Sequence, residues 1–406
     1  MKFGIGQSVK RVEDVRLLTG GGRYTDDQAA TLYATTLRSP YGHARIVGID
    51  TAAARATPGV VAVYTHADVA QLGVIPCLMP LSAPLTTPRP MLTGDVVRFV
   101  GDGVAFVVAE TREAARVGAE AIEVDYDELP AVGSIEAAIA DGAPKVWPEA
   151  TSNSIFDWQV GDAANAQAGM DGAAHVTRLR VVQNRVAPTS MEVRAAVGEW
   201  DEGRGYTLSF GGQGVASARG QVAQILQVEP AQVRVIQGDV GGGFGMKAFL
   251  YPEYILVLHA AKQLGHPVKW TGDRGDAFQS DTHGRAMVSD AALGFDADGR
   301  ITALQVETWS DLGAYQSQFG PAIQTWAGGR IIGGVYRIPA IHNLVHGVVT
   351  NCTPVDAYRG AGRPESAYIM ERLIEAAARE LGLEVDEIRR RNLLMPADLP
   401  TTTASG

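Results

Sequence analysis

Three glycine-rich turns, each between a strand pattern and a helix pattern, constrain this chain more than any other sequence feature. They span residues 211–214, 241–247 and 357–363. Glycine allows a backbone to approach another group closely, and unpaired N–H groups at the start of a helix bind anions and oxo groups. We therefore predict that the three turns form one cradle for a polyanionic or metal–oxo ligand, carrying Gln213, Phe244 and Arg359.

The glycine turns do not match the common phosphate-binding motifs. A P-loop has glycine directly before its lysine, whereas Met246 precedes Lys247 here. The dinucleotide fingerprint also fails, because its third glycine position falls on Met246. A nucleotide-binding α/β enzyme remains only a weakened alternative.

Composition and charge exclude several classes of protein. A hydrophobic fraction of 46% excludes a disordered chain, and a net charge of −10 without a basic run argues against nucleic acid or an anionic membrane surface. The apolar stretch 254–261 is far shorter than the roughly 18 residues of a membrane span. Because no basic region followed by an apolar run opens the sequence, we expect no signal peptide and a cytoplasmic location.

The order of the sequence patterns predicts an α+β chain with two domains. Residues 1–130 are expected to form a small α/β domain and 153–394 a larger mixed α/β domain, with a linker at 131–152 and a tail at 395–406.

Local signals predict two hairpins and one well-delimited helix. Valine-rich runs around a Gly-Asp-Gly turn predict a hairpin between residues 97 and 108, and an Asp-Gly turn predicts another between 288 and 309. Pro364 near its start and Gly382 at its end delimit a helix.

Other chemistry-bearing residues have a structural interpretation. His342 and His346 are four apart, but their surroundings are β-branched and apolar, and on a strand they would lie about 13 Å apart, so no shared zinc ion is expected. Glu365 and Glu371 are interpreted as solvated helix charges, and His259 as a hydrogen-bonded core histidine.

Two motifs occur in a characteristic order, GGGFGMK at 241–247 and AYRGAGRPE at 357–365. Together they resemble the molybdenum-binding large subunit of the xanthine oxidase family of molybdenum hydroxylases. LTGGGRYTDD at 18–27 and RSPYGHA at 38–44 are similar to the opening of that family's hammerhead domain, and RRRNL at 389–393 to the close of its first molybdopterin-binding domain. The resemblance implies an N-terminal α/β hammerhead domain followed by the first molybdopterin-binding mixed α/β domain.

The same resemblance implies a molybdenum–molybdopterin centre with oxo, sulfido and hydroxide ligands, the pterin being in its plain or cytosine dinucleotide form. By position, Gln213 is similar to the glutamine that hydrogen-bonds the oxo ligand. Phe244 matches the residue whose backbone and ring flank the metal and the substrate, and Arg359 matches the arginine loop on the other side. These three are expected as catalytic neighbours of the metal, without a direct side-chain ligand. The glycines expected to contact the cofactor are Gly212, Gly242, Gly243, Gly245 and Gly360.

Three departures from the family pattern bear on the substrate and the catalytic base. Gly360 stands where carbon monoxide dehydrogenases carry a copper-binding cysteine, and Cys352 is not assumed to replace it. Ala248 stands where purine-oxidising relatives commonly have a glutamate, so copper chemistry and xanthine are disfavoured. No glutamate here maps onto the family's base, which a second molybdopterin-binding domain carries. We therefore expect a split gene or a cleaved chain, with residues 1–406 inactive alone.

The resemblance thus implies the molybdenum-site subunit of a multi-subunit hydroxylase that oxidises an N-heteroaromatic or an aldehyde with water-derived oxygen. With two cysteines the chain cannot house two [2Fe-2S] clusters, so an iron–sulfur subunit and an FAD subunit are expected beside a second molybdopterin-binding subunit. The alternative is a non-catalytic scaffold of such a complex. The segment 315–326 is a candidate partner contact or a pocket-lining loop.

Overall fold

The computed structural model describes residues 4–81 and 85–406 and has fifteen strands in them. Residues 1–3 and 82–84, which the first predicted domain includes, lie outside the described residues. The strands are β1 Leu32–Arg38, β2 Ala44–Asp50, β3 Val60–Thr65, β4 Val96–Val97, β5 Gly103–Ala109, β6 Glu123–Glu128, β7 Ser154–Gly161, β8 His175–Val186, β9 Ala195–Asp201, β10 Gly205–Phe210, β11 Val233–Ile236, β12 Val268–Thr271, β13 Gly284–Phe295, β14 Ile301–Gly313 and β15 Ile341–Val349.

Capping residues mark the ends of two helices, one of which is the helix predicted between Pro364 and Gly382. Thr111 caps α4, its hydroxyl accepting from the Ala114 N–H at 3.1 Å, and Gly382 ends α11 with φ +65°. No helix in the described residues is long and apolar enough to cross a membrane. The α-helices are α1 Asp14–Leu18, α2 Ala52–Ala56, α3 His66–Val69, α4 Arg112–Glu120, α5 Ile135–Ile139, α6 Ala163–Asp171, α7 Val215–Leu226, α8 Pro252–Leu264, α9 Arg274–Ser280, α10 Gly320–Ala322, α11 Arg363–Leu381 and α12 Val385–Asn392.

A seven-stranded sheet joins strands from both predicted domains. Its order is β11-β10-β9-β12-β1-β5-β3. β1 pairs in parallel with β12, with Leu32 opposite Val268 and Ala34 opposite Trp270. Helix α8 packs on this sheet and is buried along its first ten residues. The two predicted domains therefore share one sheet and one apolar core.

A five-stranded sheet forms the centre of the second predicted domain. Its order is β7-β15-β14-β13-β8, and β13 and β14 form the hairpin predicted between residues 288 and 309. Helix α11 covers this sheet, because Leu373 and Ile374 pack against Leu293 and Leu304 in one buried cluster. A third sheet has the order β4-β2-β6.

The hairpin predicted between residues 97 and 108 is wrong. β4 pairs with β2 in the three-stranded sheet, whereas β5 lies in the seven-stranded sheet. Long-range contacts hold the intervening turn: Asp102 accepts a hydrogen bond from the Tyr315 hydroxyl at 2.9 Å, and a Cβ on Gly101 would lie 2.6 Å from the Gln279 carbonyl oxygen. These contacts carry the chain from one sheet to the other.

Residues 131–152, predicted as a linker, contain α5 and bury apolar side chains. Val146 and Trp147 share a buried cluster with Val348 of β15. The Trp147 indole donates to the Ala314 carbonyl at 2.8 Å. This segment is therefore packed against the second predicted domain.

Buried charges connect the first predicted domain to the second. Glu253, at the start of α8, is 2% exposed and accepts from Arg38 of β1 at 2.8 Å and from Arg194 at 3.0 Å. Arg194 also pairs with Asp281 and lies 3.7 Å from the centre of the Tyr251 ring. Burial alone would raise the pKa of Glu253, but the two guanidinium groups hold that pKa well below its ordinary value.

We predict that Glu253→Gln lowers the free energy of unfolding by about 3–5 kcal/mol, because it leaves two buried guanidinium groups short of negative charge. Urea unfolding of the purified protein measures this loss. Glu120→Gln is the control, since Glu120 pairs with Arg116 on the exposed surface of α4, and its cost should stay within about 0.5 kcal/mol. Equal losses for the two variants would contradict the role of the buried network.

Candidate functional site

The three glycine-rich turns meet in space. Gln213 links the first turn to the second, because its side-chain Oε1 accepts from the Gly245 N–H at 2.9 Å and its own N–H donates to the Lys247 carbonyl at 3.1 Å. The third turn joins them where the Arg359 N–H donates to the Phe244 carbonyl at 2.8 Å. The structure thus brings together Gln213, Phe244 and Arg359.

Glycine is required where these turns touch. A Cβ on Gly243 would lie 2.5 Å from Gln213 Oε1, and a Cβ on Gly245 would lie 2.4 Å from the Ala357 carbonyl oxygen. Phe244, between them, has φ +53°, a left-handed conformation that is uncommon for a bulky residue. The turn therefore holds Phe244 in a strained backbone conformation, and 41% of the residue is exposed.

The remaining predicted glycines shape the same turns. A Cβ on Gly212 would lie 2.2 Å from the Phe210 ring, and one on Gly242 would lie 2.9 Å from the Phe244 ring. Gly360 has φ +93°, and a Cβ there would lie 2.4 Å from Pro364. Close packing of backbone against side chains thus accounts for each of these glycines.

An ion pair between Lys247 and Glu192 stabilises the second turn. Lys247 is fully buried, and its Nζ donates to the backbone carbonyl of Glu192 at 2.8 Å and to the Glu192 carboxylate at 2.7 Å. The same carboxylate accepts from the Gly241 N–H at 2.7 Å. Burial lowers the pKa of Lys247, and the Glu192 carboxylate opposes that shift. No sequence pattern marks Glu192 for this contact.

A second ion pair supports the arginine loop. Arg285 Nη1 donates to the Tyr358 carbonyl at 2.9 Å and to Glu365 at 2.8 Å, while its Nη2 donates to the Arg359 carbonyl at 3.0 Å. Glu365 is only 1% exposed. The interpretation of Glu365 as a solvated helix charge is therefore wrong, because the first turn of α11 faces Arg285 and Gln324 rather than water.

The open side of the site presents donors. Gln213 Oε1 is occupied by the Gly245 N–H, so the amide nitrogen Nε2 is the group left to donate, and it has no partner among the described residues. Gln213, Arg359 and Gly360 are exposed. No group of three or more His, Cys, Asp or Glu residues in the described chain could hold a metal ion. Hydrogen-bond donors without side-chain metal ligands, around a glycine cradle, fit a metal that carries its own organic ligand.

The other candidate residues lie apart from this cradle. His346 is held between Asp157 and Glu307 on the five-stranded sheet, at 2.6 and 3.0 Å, whereas His342 contacts Gln159, so the two histidines share no site. Cys352 lies against the Gly133 carbonyl at 3.4 Å.

Glu371, interpreted as a solvated helix charge, and His259, interpreted as a core histidine, both lie away from the cradle. Glu371 is half-exposed, and it also accepts hydrogen bonds from Tyr336 and Arg389. His259 is buried, with its ring edge-on to that of Tyr64.

The segment 315–326 lies beside the arginine loop. Residues 315–318 are buried, and the Phe319 N–H donates to the Asp356 carboxylate at 3.0 Å. Burial raises the pKa of Asp356 to about 6. Phe319 and Trp326 are partly exposed.

Comparison with known proteins identifies the family. A model described as "Molybdopterin cofactor-binding domain" matches residues 146–393, and one described as "Aldehyde oxidase and xanthine dehydrogenase, a/b hammerhead domain" matches 19–130. The chain belongs to the xanthine oxidase family of molybdenum hydroxylases. The resemblance and the fold class predicted from the sequence are confirmed.

Relatives and solved structures agree with this family. The chain is 37% identical to the 6-hydroxypseudooxynicotine dehydrogenase complex subunit gamma of Paenarthrobacter nicotinovorans, over 98% of this chain and 50% of that protein. It is 29% identical to the nicotinate dehydrogenase large molybdopterin subunit of Eubacterium barkeri, over 96% and 89%. The crystal structure of quinoline 2-oxidoreductase from Pseudomonas putida 86 superposes with a TM-score of 0.92 at 39% identity, over 100% and 52%. The chain spans about half the length of the first and third of these proteins.

We predict that Gly245→Ala lowers the free energy of unfolding by about 3 kcal/mol, because the new methyl group would meet the Ala357 carbonyl at a left-handed φ of +97°. The matched control is Gly265→Ala, which has φ +69° and no atom within 4 Å of the added Cβ. The control carries the backbone cost alone, about 1 kcal/mol. Urea unfolding of both variants measures the difference, and equal values would contradict a close approach of the two turns.

Proposed function

We propose that the chain is the molybdenum-site subunit of a multi-subunit hydroxylase that oxidises an N-heteroaromatic or an aldehyde with water-derived oxygen. The observation that carries this proposal is the meeting of the three turns around the free amide donor of Gln213. Relatives named for quinoline and nicotinate favour an N-heteroaromatic over an aldehyde. Electrons would leave through [2Fe-2S] clusters and FAD on partner subunits.

The residues of the cradle would hold a molybdenum–pterin group, here proposed in its cytosine dinucleotide form. When bound, this group supplies the two-electron oxidation and the oxygen that is transferred. Gln213 Nε2 would donate to an oxygen ligand of the group, since its Oε1 is already occupied. Arg359 would approach from the opposite turn. The exposed ring of Phe244 would form a wall for a flat substrate.

A second molybdopterin-binding polypeptide would complete the site and supply a glutamate as general base. Two observations support this part of the proposal. The cradle is open, because Gln213, Phe244 and Arg359 are exposed, whereas water must be excluded from such chemistry. The carboxylates beside the turns are also occupied: Glu192 binds Lys247, Glu365 binds Arg285, and buried Asp356 accepts from the Phe319 and Ala357 N–H groups.

Elemental analysis and intact masses of the natively purified complex test the proposed function. We expect molybdenum, iron and a second pterin-binding polypeptide together with this chain. A molybdenum-free, homogeneous 43.0 kDa species from cells that make the cofactor would contradict the proposal.

We predict that Gln213→Ala and Gln213→Glu slow reduction of the loaded enzyme by its substrate about 100-fold, the usual effect of removing one preorganised donor. The glutamate variant keeps the acceptor for the Gly245 N–H while replacing the donor with a carboxylate oxygen, so the donor is lost without loss of the contact between the turns. Stopped-flow single-turnover reduction, with a substrate found by screening N-heteroaromatics and aldehydes, provides the measurement.

The control for these variants is Gln224→Ala on the exposed surface of α7, which should react at the wild-type rate. Wild-type reduction by both Gln213 variants at full molybdenum content would remove Gln213 from the mechanism.

A further inference from the structure

Strand β13 begins with two strained residues behind the arginine loop. Arg285 has φ +62° and Ala286 has φ +59°, so two consecutive non-glycine residues adopt the left-handed conformation. Pairing with β8 places Arg285 opposite Arg185 and Met287 opposite Gln183, but Ala286 has no pair. Such strain persists only where surrounding contacts determine the conformation. At Arg285 these contacts are with the arginine loop.

The strained backbone directs the Arg285 guanidinium at the arginine loop. The guanidinium donates to two successive carbonyls, those of Tyr358 at 2.9 Å and Arg359 at 3.0 Å, and lies 4.9 Å from the centre of the Tyr358 ring. The loop also lies directly on the strand, since a Cβ on Gly284 would be 2.4 Å from the Tyr358 Cβ. Arg285 thus fixes two peptide units at once.

A buried carboxylate holds the guanidinium in place. Glu365 Oε1 accepts from Arg285 Nη1 at 2.8 Å and from Gln324 at 3.3 Å, and Gln183 donates to the Glu365 carbonyl at 3.1 Å. Glu365 Oε2 is buried without a hydrogen-bond partner among the described residues. Arg285 is therefore the principal positive charge on this carboxylate, and a planar fork that bridges a carboxylate and two carbonyls is a geometry that lysine cannot reproduce.

The peptide units around Arg359 are consequently held from two sides. The Arg359 N–H donates to the Phe244 carbonyl, and the Arg359 carbonyl accepts from Arg285. We propose that Arg285 is a positioning residue for the cofactor site, because it sets the orientation of the Arg359 loop relative to the Phe244 turn. This inference rests on the proposed function only in assigning Arg359 to the cofactor.

Arg285→Lys in the complete complex tests the proposal. Lysine keeps a positive charge for Glu365, so the fold should be retained, but an ammonium group cannot hold both carbonyls in one plane. We expect the complex to assemble with at most a small drop in melting temperature, together with a molybdenum content about tenfold lower, the usual scale for the loss of an outer contact to a metal site. If molybdenum loads fully, we expect an altered Mo(V) EPR spectrum after partial reduction with dithionite.

Arg389→Lys is the matched control. Arg389 of α12 makes two hydrogen bonds, at 2.9 and 2.7 Å, to Glu371, which lies on the same helix α11 as Glu365 but does not contact the arginine loop. We expect wild-type molybdenum content and EPR spectrum from this variant. If the Arg285→Lys complex does not assemble, Glu365→Asp is tested by the same two measurements. This variant shortens the side chain that holds Arg285 by one methylene group.

The outcomes separate this inference from the proposed function. Wild-type molybdenum content and an unchanged Mo(V) spectrum in Arg285→Lys would overturn the positioning role while leaving the proposed function intact. A wild-type complex without molybdenum would overturn the proposed function itself. If Arg389→Lys changed the molybdenum content and the EPR spectrum equally, the effect of Arg285→Lys would be that of losing any stabilising ion pair, and the positioning role would be wrong.

Discussion

Burial of the Arg194–Glu253–Arg38 network is the constraint on which the rest of the structure depends. Removing one partner from a group of buried charges is costly, so this network ties β1 and the residue before β9 to the start of α8. The same helix start supports the site, because the Tyr251 hydroxyl donates to the Met246 carbonyl at 3.0 Å. The hammerhead domain therefore extends the sheet and also, through the ion pair of Arg38 with Glu253, stabilises the helix start that contacts the second glycine turn.

The parts of the fold and site that could be predicted are those determined by local chemistry. A glycine turn before a helix is visible in the sequence, and Gln213, Phe244 and Arg359 do meet in the structure. Glu192 and Arg285 could not be found in this way. Their partners lie 55 and 80 residues away, and nothing in the spacing distinguishes them from surface charges. The predicted hairpin at 97–108 failed for the same reason, since contacts distant in sequence determine where β4 and β5 pair.

Two carboxylates beside the turns, Glu192 and Glu365, have structural roles rather than chemical ones. Each is committed to a cation, Glu192 to Lys247 and Glu365 to Arg285, and each cation in turn holds backbone carbonyls in place. The open side of the cradle is left with the Gln213 amide, the Arg359 side chain and the Phe244 ring. An arrangement of this kind can orient an oxo group and a flat substrate, but proton transfer requires a group from elsewhere. This arrangement supports the proposal that the general base comes from outside the described residues.

Four residues around the cradle have strained backbone conformations. Phe244, Arg285, Ala286 and Ala361 have positive φ values, and all four lie on the elements that meet at the cradle. Each costs about 1–2 kcal/mol, which the hydrogen bonds between the turns and Arg285 must offset. These bonds join protein groups to one another, so the polypeptide itself contributes to holding the strained turns in place. A donor held in this way before a group binds is what the proposed role of Gln213 requires, because a preorganised donor need not reorient when charge develops.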